Sequence, residues 1–141
     1  MSAEPARNVG AEEVVTRFIY ESQSVKGNHV RVATFLPMFD LEMQRLETSV
    51  CRLNLCNRER AWELARTLGL ASRPGVTLHA CADVSVGVAN QNGLICEEAP
   101  VDGFPEHAVL IGWPEEKEKQ KLIAMALVKA SARHLPPATG S

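Results

Sequence analysis

No stretch of this chain approaches the roughly 18–20 consecutive apolar residues that cross a bilayer as a helix, so no membrane span is expected. Charge of one sign is missing as well. Fifteen Lys and Arg stand against seventeen Asp and Glu, a net charge of −2, which removes the basic footprint of a nucleic-acid binder. Aromatic residues make up only 5% and do not alternate with cations, so a stacking platform for single strands is excluded too. No glycine-rich phosphate loop, dinucleotide fingerprint or Gly-x-Ser-x-Gly elbow occurs, and the reactions those loops support go with them. Nor is there a Cys-x-x-Cys pair, the usual opening of a structural zinc site.

What remains is 141 residues with 45% hydrophobic content, the size of one domain with a core of its own. Residues 1–12 and 136–141 are polar or small and read as disordered tails, leaving a single domain over 13–135. The first thirteen residues carry Glu4, Arg7, Glu12 and Glu13 and no apolar stretch. Together with four cysteines that read as free thiols, Cys51, Cys56, Cys81 and Cys96, this sets a cytoplasmic expectation.

Val14 to Tyr20 favours a strand or a short helix, and His29 to Leu36 alternates like a strand until Pro37 ends it. Thr48 to Leu55 puts Cys51, Leu53 and Leu55 on one face of a half-buried strand. Asn57 suits the cap of a helix over 58–68, with Gly69 placed as its left-handed stop. Val76 to Ala82 reads as a strand, followed by a short helix capped by Asp83 or Ser85 and ended by Asn92-Gly93. Leu94 to Cys96 and His107 to Trp113 read as strands, the second buried on both faces. Pro114 and the acids after it open a helix over about 115–132. Interleaved strands and helices predict an α+β fold, a two-layer sandwich with a mixed sheet.

Charge is distributed less evenly than its total suggests. Residues 31–73 carry seven arginines against five acids, whereas 83–118 carry eight acids against Lys117 alone. Such a lobe is a solvated face or a patch for a basic partner.

Three constellations carry candidate chemistry. His79, Cys81 and Asp83 alternate, so an extended chain projects imidazole, thiol and carboxylate from one face, about 7 Å apart. Zinc accepts that mixture, with Cys96, Cys51 or His107 completing the set; the plain alternative is two packing residues and a helix cap. A Cys81 nucleophile activated by His107 uses some of the same groups. His107 itself opens the most buried strand after the acidic loop 97–106, a place where sheet proteins handle ligands. The plain alternative is an imidazole bonded to a backbone carbonyl. Phe104 reads as an exposed contact, and Trp62 and Trp113 as core.

The stretch Pro105-Glu106-His107-Ala108-Val109-Leu110-Ile111-Gly112-Trp113-Pro114, with Arg17 to Tyr20, Ala82-Asp83 and Gly93-Leu94, resembles a family of small uncharacterised bacterial proteins. The resemblance spans most of 17–130 and directs attention to His107 and Asp83; family members carry an arginine where this chain has Cys81. The order of strand, helix, Gly-Leu and a strand opening on His is also similar to ADP-ribosyl-transferring folds, which implies a first-strand role for His79. The expectation is a small accessory or regulatory protein that acts by binding, with a protein partner and no cofactor. The alternatives are an enzyme of small-molecule or nucleotide type using His107, Asp83 and His79 in one cleft, and a zinc protein using His79, Cys81 and Cys96.

Overall fold

Val14–Ile19 forms strand β1, because its β-branched residues alternate onto a face where Val15 and Ile19 are fully buried. In the computed structural model, which describes residues 7–20, 25–26, 29–72, 75 and 77–137, nine strands and three α-helices follow one another. A small separate hairpin joins β2 (Val25–Lys26) to β3 (His29–Val30). A larger one joins β4 (Met38–Asp40) to the start of β5 (Arg45–Arg52). Helix α1 (Arg58–Ser72) leads to β6 (Ala80–Ser85) and the short α2 (Val86–Gln91). Strands β7 (Ile95–Glu98) and β8 (His107–Ile111) precede α3 (Lys117–Ala130) and β9 (Ala132–His134).

The main sheet runs β7-β8-β5-β1-β6-β9, with β4 added on β5. The fold is α+β and a single domain, as the interleaving predicts. Every described pairing is antiparallel, however, rather than mixed. The reason is the route of the chain: β5 and β6 both flank β1, so α1 carries the chain across β1 and both neighbours run against it.

Helices also cover both faces, one layer more than a two-layer sandwich. Val15, Val50, Ala82 and Leu110 pack with Val86 and Ala89 of α2 and Ala124 and Leu127 of α3. Cys51 and the half-buried Phe18 point the other way, onto Leu64 and Leu68 of α1 and onto Phe104. Phe104 is thus buried rather than an exposed contact, and Trp62 and Trp113 are core.

Several boundaries move for physical reasons. The strand expected over His29 to Leu36 stops at Val30, because Thr34, Phe35 and Leu36 donate to the carbonyls three residues back and wind a 3-10 turn over Val32–Thr34. Asp83 lies inside β6, not at a helix cap; the cap is Ser85, whose side chain accepts from the Val88 N–H. The short helix ends at Asn92-Gly93 as expected, with Gly93 in the left-handed region at φ +86°. Residues 7–9, within the span read as a tail, run beside β7: Val9 N–H donates to Cys96 O at 2.8 Å, and Val9 is buried. Residues 1–6 and 138–141 lie outside the described residues.

Gly69 does not end α1, which continues to Ser72. Its value is clearance. A Cβ there would stand 2.4 Å from Tyr20 Cε1, and that ring is tethered because its hydroxyl donates to Ala65 O at 2.6 Å. Gly69→Ala therefore loses about 1–3 kcal/mol by overpacking despite alanine's better helix propensity, and a urea titration showing equal or greater stability would contradict this packing. Pairing the substitution with Tyr20→Ala should remove most of its cost.

Candidate functional site

Two strands part company in the middle of the sheet. β1 pairs with β5 only at Val15↔Arg52 and Thr16↔Cys51, whereas β1 follows β6 for its full length and β5 follows β8 through Thr48↔Leu110. Beyond Thr16 a rift opens between Arg17–Tyr20 and Ser49–Cys51. The segment around the 3-10 turn closes its far end, where Thr48 Oγ1 donates to Phe35 O at 2.9 Å.

Arg17 occupies this rift. It sits between Val15 and Ile19 in the alternation of β1, so its side chain leaves the strand on the side of the main core. Nε donates to Thr34 O at 3.1 Å and Nη1 to Ser49 O at 2.9 Å. The guanidinium thus meets one carbonyl of β5, that of Ser49, where the β1–β5 ladder has stopped, and ties it to the 3-10 turn through Thr34 O. Burial pulls its pKa below the ordinary arginine value, opposed by the nearby Tyr20.

The rift forms a half-open cavity of about 460 Å³. Its walls are Thr16 to Tyr20 of β1 and its end, Ser49 to Cys51 of β5, and Ala33 and Thr34 of the 3-10 turn. Leu68 of α1, with Val101, Phe104 and His107, completes them. The loop before β8 is tied down: Val101 and Phe104 exchange backbone hydrogen bonds at 3.2 and 2.9 Å, and Arg52 N–H donates to Glu106 O at 2.9 Å.

Of the residues singled out by sequence, His107 lines this cavity. Its Nδ1 lies 2.7 Å from Ala99 O. A carbonyl only accepts, so Nδ1 carries the proton, and Nε2 is the acceptor of the neutral ring. The Phe104 ring lies tilted against it, with centroids 5.1 Å apart.

Asp83 is in the same transverse row of the sheet as His107, through His107↔Cys51, Cys51↔Thr16 and Thr16↔Asp83. Three strand spacings separate them, about 14 Å. Asp83 instead holds Arg58, the first residue of α1, which donates to both carboxylate oxygens and to Cys81 Sγ at 3.0 Å. From β9, His134 Nε2 approaches Asp83 at 3.2 Å. His79 precedes β6, where its backbone N–H donates to Ile19 O at 2.9 Å. The three expected site residues therefore do not meet in one cleft.

The zinc set is likewise dispersed. Cys81 lies in β6, and Cys96 lies in β7 at the far edge, on the face that carries the larger core. Among the described residues no group of three His, Cys, Asp or Glu side chains is arranged to hold a metal. The cysteine opposite His107 is Cys51 rather than Cys81, and burial pushes the Cys51 thiol up. Burial also raises Cys81 to about 11 and Cys96 to about 12, so neither is a thiolate at neutral pH. The Thr16 hydroxyl beside Cys81 favours its thiolate, but less than burial opposes it.

Arg17, Thr34 and Ser49 were absent from the sequence candidates. One signal pointed to Arg17, a lone cation inside the apolar run Val14 to Tyr20 on the buried parity of the strand. No family profile, curated protein or solved structure matches the chain.

The buried thiols set an alkaline limit. An unfolded cysteine ionises near ~8.5, whereas Cys81 and Cys96 in the fold hold their protons to about 11 and about 12. The folded state then binds more protons than the unfolded one, so stability present below the unfolded pKa is lost as pH rises through that window. Urea titrations across it should show a steady decline, shallower in Cys96→Ala; identical slopes for the two proteins would rule out this contribution.

Proposed function

We propose that this chain is a small-molecule-binding protein whose ligand sits in the rift between β1 and β5, and that it serves as an accessory or regulatory component. One observation carries the reading: the sheet is interrupted at its centre, and the interruption forms a half-open cavity of about 460 Å³ where aromatic and aliphatic side chains share the wall about equally with polar ones. Ligand sites are of this size, roughly 300–1,000 Å³, and combine apolar surface with placed polar groups. Opening a sheet costs ladder hydrogen bonds, and here Arg17 is committed to the β5 carbonyl of Ser49 and to Thr34 O across the gap. Free thiols at all four cysteines agree with a cytoplasmic setting. An enzyme built on His107 with Asp83 is less well supported, since one substrate would have to reach two groups about 14 Å apart.

The test is a fluorescence titration with 2-naphthamide, a neutral bicyclic probe that the cavity can contain. Saturable binding to one site is expected. Ser49→Phe, at an exposed position on the wall, should weaken it at least tenfold with little change in melting temperature. Binding unaffected by that substitution would place the probe elsewhere and overturn the reading.

A second reading, contact with another protein, is favoured by the β4–β5 hairpin. Met38, Phe39, Leu41 and Met43 are all more than half exposed there, and β4 pairs with β5 alone among the described strands. An open apolar edge of this kind suits a second copy of the chain, adding strand to strand about a twofold axis. Sedimentation at increasing concentration should show a dimer that Phe39→Ser with Leu41→Lys abolishes; a monomer at all concentrations would remove this reading.

A further inference from the structure

The chemical character of the ligand follows from Arg17. Among the described residues no carboxylate forms an ion pair with it. The acids near the sheet are already engaged: Glu13 and Glu98 with Arg52, Glu47 and Glu97 with Arg45, Asp83 with Arg58 and Glu106 with Arg60. Arg17 instead meets two backbone carbonyls. A guanidinium has five N–H donors, so this pair of bonds leaves three uncommitted on a residue that lines the cavity. A cation moved toward the interior with only neutral partners is costly unless an anion joins it. The strand could have carried Gln or Lys to bridge the same carbonyls with fewer leftover donors, but the planar fork is what matches a two-oxygen anion.

The rest of the wall limits what the anion can be attached to. Phe18, Phe104, Leu68 and Val101 provide aromatic and aliphatic surface, and the rings of Phe18 and Phe104 lie stacked with centroids 6.4 Å apart. Inorganic phosphate would leave that surface unused. We infer that the rift binds a small organic acid, its carboxylate or phosphate held by Arg17 and its apolar body seated against Phe18, Phe104 and Leu68. This rests on the cavity reading above and adds the charge and orientation of the ligand. His107 contributes a further polar contact through Nε2, the acceptor left on its ring, so a hydroxyl or amine donor on the apolar body would be recognised as well.

The experiment compares probes of one shape and different charge on the intact chain: 2-naphthoate, 2-naphthyl phosphate and neutral 2-naphthamide. At least one of the two anions should bind ten times or more tighter than the amide, and which one does so identifies the anionic group. Arg17→Gln should erase that preference, while Arg17→Lys keeps part of it. Equal binding of all three probes to the unaltered protein would overturn the inference and leave the cavity reading standing. Failure of all three to bind would overturn both. Arg17 also bridges the rift, so its substitutions can lower the melting temperature; the three-probe comparison on the unaltered chain decides the matter without them.

Discussion

The parting of β1 from β5 after Thr16 is the constraint on which the rest of the molecule turns. A central strand normally spends its backbone donors and acceptors on two neighbours. β1 keeps β6 along its whole length and keeps β5 for two residue pairs. Something must then meet the carbonyls exposed in the rift, and the chain answers with a charged side chain on Ser49 O and Thr34 O. A guanidinium in this role brings a permanent positive charge into a wall whose other members are neutral polar and apolar side chains. Repair of the sheet and the character of the cavity therefore come from one residue.

The surroundings hold the rift at a fixed width. α1 lies across it on one face, with Leu68 at the cavity and Tyr20 bonded to Ala65 O. At the other end, Thr48 bonded to Phe35 O anchors the 3-10 turn. The turn before β8 is closed by its own backbone bonds and by Arg52. Most of the wall is thus braced by elements that also carry the core, so a ligand would meet a largely formed site and pay little ordering entropy.

Charged clusters outside the rift serve the architecture. Arg58 couples the start of α1 to β6 through Asp83 and Cys81, and His134 draws β9 to the same carboxylate. Arg52 gathers Glu13 and Glu98, joining the entry to β1 with β7. These pairs explain the acidic stretch over 83–118 better than a basic partner does: Asp83, Glu97, Glu98 and Glu106 each already face an arginine from the basic stretch. Half of the eight acids in the acidic stretch are thus met by arginines of the basic one.

Local pattern alone determined the α+β class, the helices near 58 and 117, the stop of the short helix after β6, and the core tryptophans; it offered both Asp83 and Ser85 as that helix's cap, and the strand pairing of Asp83 decided for Ser85. Each depends on periodicity or on the conformational preference of one residue, and neighbours in sequence carry that information. It also marked His107, whose imidazole does line the cavity and does bond a backbone carbonyl. Strand order was decided only in three dimensions, because alternation says which face a residue takes and nothing about which strand lies beside it. That is why Asp83 and His107 share a row yet stand three strands apart, and why Gly69 is an opening for a tyrosine ring rather than a helix stop. An arginine on the buried parity of β1 was visible in the letters. That it fills a gap between strands, facing carbonyls contributed from residues 34 and 49, depends on long-range packing that no local window contains.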